Sequence, residues 1–173
     1  MVFIDLAKKR YSSRKYDEKA VDDILINQIL ETARVAPTAA NKQPFHLIVL
    51  KTKSSIEKLS KAGNTFGAPA AIIVCGSKAQ AWTRPYDNAN TAIVDASIIT
   101  DHMMLACTDL GLGSVWIYRF DPAIVKAEFN ISEEFEPIHI LLFGYSIDDV
   151  KSPDRHDKVR KSVNELVTYE TFR

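Results

Sequence analysis

No apolar run in this chain approaches the roughly 18 residues that a membrane-crossing helix needs, so no membrane contact is expected. Net charge is missing too, since 22 Lys plus Arg stand against 22 Asp plus Glu. A neutral chain has no general electrostatic hold on nucleic acid or an anionic lipid surface, and any anion site must be local. The opening "MVFIDLAKKRYSS" carries Asp5 inside its only apolar stretch and lacks the apolar core and cleavage region of a secretory signal. Cysteine is scarce. Cys75, in an apolar run, and Cys107, in a helical stretch, suit buried free thiols better than a disulfide framework or a metal motif. A soluble, reducing, cytoplasmic setting is expected.

The common catalytic signatures are absent as well. There is no G-x-x-x-x-G-K-[ST] loop, no H-E-x-x-H and no G-x-S-x-G. "GLGS" at 111 to 114 has two glycines but enters a strand-like run instead of opening a helix, which argues against a dinucleotide fingerprint. The histidines His46, His102, His139 and His156 are scattered, and His46 and His139 fall within strand-like runs, where a structural role is the simpler reading. No metal site and no nucleophilic constellation are expected.

What is present is enough for one well-buried core: 173 residues, 46% of them hydrophobic, with no linker or repeat. One domain over 1–173 of α+β class is expected. Helices are read over 2–9, 21–36 and 88–110; in the second, Ile26, Ile29, Leu30 and Ala33 share one face and Pro37 stops it. Continuous apolar runs at 45–51, 70–76, 114–119 and 138–145 predict strands of a sheet covered on both faces. The long helix has one seam, Ala92, Ala96, Ile99, Met103, Ala106 and Leu110, and a second stripe of Val94, Ile98 and Leu105. Two stripes suit either a central helix or one shared with a partner. Residues 151–173 read as a basic arm followed by an edge strand in "ELVTYETF".

Two basic clusters and one polar loop carry the chemistry. "RYSSRKY" presents Arg10, Ser12 and Arg14, a set of guanidinium forks and a hydroxyl suited to phosphate, although Arg10 equally complements the negative end of the first helix. The arm "KSPDRHDKVRK" holds five basic residues, Lys151, Arg155, Lys158, Arg160 and Lys161, and also reads as a solvated surface. In "APTAANKQPF" the amides of Asn41 and Gln43 match the alternating donors and acceptors of a flavin pyrimidine edge, while Thr38, Ala39 and Ala40 leave room for a flat ring. A helix-to-strand loop rich in turn formers would look the same.

Four ordered blocks, "RYSSRKY", "APTAANKQPF", "DLGLGSVWI" and "KVRKSVNELVTYE", give the chain a resemblance to the nitroreductase family of FMN-dependent oxidoreductases. The resemblance implies a central mixed, mainly antiparallel sheet flanked by helices, in an intertwined homodimer. It implies FMN held by Arg10, Ser12 and Arg14, by Pro37, Thr38, Ala39, Asn41 and Gln43 from the other subunit, by Gly113 and Ser114 beside the flavin, and by Lys158 and Arg160 at the phosphate. Trp116 falls in the same flavin-side segment. Hydride would pass from NADH or NADPH through flavin N5 to a nitroaromatic, a quinone or a related small acceptor, with ping-pong kinetics and no catalytic side chain, Arg14 giving electrostatic support. An activated alkene or halogenated aromatic as acceptor, or flavin binding without turnover, remain open. Tyr118 and Arg119 stand where many relatives have small residues, and Trp82, Arg84 and Tyr86 are candidates for a substrate rim.

Overall fold

Short apolar runs rich in β-branched residues and bounded by turn formers become a sheet. In the computed structural model, which describes residues 2–172, the strands are β1 (Phe45–Leu50), β2 (Ala70–Gly76), β3 (Gly113–Ile117) and β4 (Glu136–Gly144). Their order is β1-β2-β4-β3 and every neighbouring pair is antiparallel. β1 and β3 are therefore the edges. A parallel bridge between Ser12 and Ser114 adds a short piece of the N-terminal chain to the β3 edge and supplies the mixed character.

β2 is buried throughout, and β4 throughout except for Glu136, because helices cover both faces. On one face lie α2 (Asp23–Val35) and α4 (Ala92–Asp109), where Ile29, Ala33, Ile99 and Met103 pack against Ile72, Val74, Leu141 and Phe143. On the other lie α3 (Lys53–Ser60) and α5 (Pro122–Phe129), where Leu59 and Val125 meet Ile73, Ile140 and Leu142. Each fully buried Val, Leu, Ile, Phe or Met side chain among them contributes about 1.5–3 kcal/mol of apolar transfer.

The long helix starts later than the sequence suggests. Asn90 holds residues 83–90 in a loop, its amide donating to Lys78 O and Thr83 Oγ1 while its Oδ1 accepts from the Ala92 N–H, so helical bonding begins only at Ala92. Of the two stripes, Ala92, Ala96, Ile99, Met103 and Ala106 are buried within this chain. Val94 stays exposed, and Ile98 and Leu105 are half-buried.

Three short helices complete the fold: α1 (Phe3–Lys9), α6 (His156–Val159) and α7 (Val163–Leu166). The last corrects the expected edge strand at its start. Ser162 and Glu165 form a reciprocal capping box, with the Glu165 carboxylate accepting from both the N–H and the hydroxyl of Ser162, and these local bonds outweigh a weak alternation. Residues 167–172 carry no strand within the chain.

Candidate active site

The segment 10–16 is clamped between β3 and the chain leaving β4. The Ser13 N–H donates to Ser114 O at 2.9 Å, the Ser13 hydroxyl meets that of Ser146, and Asp148 Oδ2 accepts from the N–H groups of Arg14 and Lys15 at 2.5 and 3.2 Å. These bonds hold the Asp148 carboxyl below its ordinary pKa, the Arg14 N–H being the largest cause. Gly113 makes the close approach possible: a Cβ there would lie 2.6 Å from Ser13 Oγ and from Ser146 Cβ. The result is a fixed backbone from which Arg10, Ser12 and Arg14 project.

The C-terminal arm returns to this segment. Arg155 donates from Nη1 to Lys8 O at 3.0 Å and from Nη2 to Arg10 O at 2.6 Å, and His156 Nε2 lies 3.1 Å from Lys8 O. The carbonyls it reaches are among those an α-helix leaves unpaired at its C-terminus. Half-buried Arg10 has its guanidinium pKa lowered, first by burial and then by the charges of Arg155 and Arg160. Arg10 thus lies in the field of two further guanidinium groups, with Asp101 opposing them there, an arrangement that favours a bound anion. Lys158 is exposed on α6. Beside the segment, Ser114 Oγ is buried without a hydrogen-bond partner among the described residues.

The second half of the predicted site is the loop ahead of β1. Ala40, Asn41 and Gln43 all have positive φ, at 51°, 53° and 52°, a conformation that side-chain-bearing residues seldom adopt without support. Thr38 Oγ1 accepts from the Gln43 N–H at 3.0 Å, and buried Asp95 accepts from the Ala39 N–H at 2.9 Å and from the Thr91 hydroxyl at 2.9 Å. Asn41 and Gln43 are exposed, and the Gln43 amide nitrogen donates to Asn41 O. Asp95 carries this loop and no sequence motif singled it out, since an acidic residue near a helix start reads as an ordinary dipole partner.

Within one chain the two halves stand apart. The loop enters β1 at Phe45, in register with Gly76 and so with Glu136 at the start of β4, whereas Gly113 pairs with Gly144 at its end. Three strand spacings and eight residue rises separate those corners, roughly 30 Å on ideal sheet geometry.

Residues 7–64 and 56–145 match the nitroreductase family. The chain belongs to the nitroreductase family. With that family it is an NAD(P)H-dependent oxidoreductase. A relative named "Putative NADH dehydrogenase/NAD(P)H nitroreductase" from Archaeoglobus fulgidus is 39% identical over 163 residues, covering 84% of this chain and 91% of its own. A nitroreductase family protein of Clostridium difficile 630 has a crystal structure that superposes with a TM-score of 0.96, at 49% identity over 99% of this chain and 100% of that one. An FMN-dependent nitroreductase of Clostridium difficile R20291 superposes with a TM-score of 0.81, at 27% identity over 98% and 99% of the two chains.

The remaining candidates of this nitroreductase divide between the two halves. Trp82 belongs with the loop, its carbonyl accepting from the N–H and hydroxyl of Thr91. Arg84 is committed to Asp87 through bonds of 2.7 and 2.5 Å, and Tyr86 is exposed. Tyr118 and Arg119 lie at the far end of β3 on opposite faces. Tyr118 tilts over His139 at 5.5 Å, whereas Arg119 lines an open groove with Phe66, Ile117 and Phe120. The Arg14 guanidinium lies 5.9 Å from the centre of the Phe66 ring, at one side of that groove.

Proposed function

We propose that this nitroreductase binds FMN along β3 and carries electrons from NADH or NADPH to a nitroaromatic, quinone or related small acceptor. The observation that supports this best is the gathering of Arg10, Arg155 and Arg160 beside Ser12. The residues fit the group: phosphate for Arg10, Arg160 and Lys158, hydroxyls for Ser12 and Ser114, and the ring edge for Arg14. When bound, FMN supplies a two-electron acceptor at N5, so that donor and oxidant can use one exposed face in turn, with ping-pong kinetics.

The chain's own part is binding and placement. Arg10, with Lys158 and Arg160, holds the phosphate; Arg14 brings positive charge to the N1 and O2 edge of the ring. Pro37, Thr38, Ala39, Asn41 and Gln43 form the other wall, and since that loop lies at the opposite corner of the sheet, it reaches the ring from a second copy. A homodimer also covers what the single chain leaves bare. α1 has no buried residue, with Phe3 at 68% and Ile4 at 56% exposure, and Ile93 and Val94 on α4 are half exposed.

The test is acceptor-dependent oxidation of NADH and NADPH by FMN-loaded protein over a panel of nitroaromatics, quinones, activated alkenes and halogenated aromatics. Turnover led by nitroaromatics or quinones is expected. Preference for alkenes or haloaromatics would move the reading to that chemistry, and tight FMN binding with no turnover on any acceptor would leave a flavin-binding protein. Arg119, which has no ion pair among the described residues, predicts faster reduction of acceptors bearing a carboxylate. Arg119→Gln should raise KM for nitrobenzoate about tenfold while leaving nitrobenzene unchanged.

A further inference from the structure

Between Asp149 and Phe172 every described residue is exposed except Arg155 and His156, so these two side chains carry the arm's packing against the body of the chain. Both end on the same feature, the carbonyl groups where α1 stops. The Arg155 fork spans Lys8 O and Arg10 O with separate nitrogens and also takes Ser152 O at 2.8 Å, which fixes the arm's own turn. His156 adds a bond of 3.1 Å to Lys8 O, and helix α6, beginning at His156, then carries Lys158 and leads to Arg160.

Arg160 itself shows no partner side chain among the described residues; its N–H donates to His156 O and its charge is felt at Arg10. What sets its position is therefore the start of α6, and what sets the start of α6 is Arg155. We propose that Arg155 is a positioning residue, a latch that docks the C-terminal arm on the end of α1 and so closes Lys158 and Arg160 over the phosphate held by Arg10. This rests on the FMN reading above. A lysine cannot replace the latch, because one ammonium on a flexible stem does not span two carbonyls as a planar guanidinium does.

The latch predicts a split by ligand. FMN carries the phosphate that Lys158 and Arg160 meet, and riboflavin presents the same ring without it. Arg155→Ala and Arg155→Lys should each weaken FMN by about tenfold or more in a fluorescence titration of apoprotein, leave riboflavin affinity unchanged, and open the segment after Val150 to limited proteolysis. Three results would overturn the proposal: FMN affinity unchanged in Arg155→Ala, equal losses for FMN and riboflavin, or full restoration by Arg155→Lys, which would assign the effect to charge alone. Failure of the FMN reading looks different, since the unmutated protein would then bind FMN no more tightly than riboflavin.

Discussion

Single buried polar groups do work here that no motif announces. Asp95 holds the loop of residues 38–43 in three left-handed conformations by accepting from the Ala39 N–H. Asp95→Ala should cost about 1–3 kcal/mol and release that loop, measured as a lower urea midpoint together with weaker FMN binding. His139 is 3% exposed, and burial pushes its pKa down to about 4 from an ordinary value of 6.5. Ser97 Oγ donates to Ile93 O, so towards His139 it accepts, and the ring proton sits on Nε2 with Nδ1 buried and without a partner among the described residues. The unfolded chain therefore takes up a proton below about pH 6.5 that the folded chain refuses until about pH 4. Stability present above that window falls as acid is added, by up to about 3 kcal/mol. His139→Leu should flatten the decline between pH 6.5 and 4 in denaturation curves, and an unchanged decline would contradict the assignment.

At the scale of elements, Gly113 is where strand and basic segment meet. Gly113→Ala forces a Cβ into Ser13 and Ser146, at an expected cost of about 1–3 kcal/mol, with FMN binding lost in parallel. The four strands and α2 were legible because their apolar spacing is continuous and their ends carry Pro37, Gly76 and Gly144. Helices α3 and α5 escaped the sequence reading. At eight residues each they bury only Leu59 and Val125 respectively, so periodicity is weak. Their caps were the available signal: Thr52 with Ser55, and Asp121 before Pro122. The tail was misread for a related reason, since the S-x-x-E spacing of Ser162 and Glu165 is a local code that alternation alone does not register. For the site, Arg10, Ser12 and Arg160 were legible as charge and hydroxyl patterning. Asp95, Asp148 and Arg155 were not, because their roles depend on backbone groups distant in sequence.

The whole molecule explains why a polar loop and a basic segment at opposite corners belong to one reading. A two-fold axis can bring the loop of one copy to the segment of the other, and α1 and the start of α4 offer apolar surface for such a contact. Phe3→Glu with Ile4→Glu should split the proposed dimer in sedimentation velocity and abolish FMN binding while the helical content stays, because both side chains are exposed on their own chain. Retained dimer and retained FMN would remove α1 from the interface. The central claim, that this chain builds a flavin site from its two ends, is tested most directly by adding FMN to purified protein, removing the unbound fraction by gel filtration and recording the visible spectrum. The account predicts oxidised-flavin bands co-eluting at about one FMN per chain. A colourless protein peak, with the added FMN recovered in the small-molecule fraction, would contradict it.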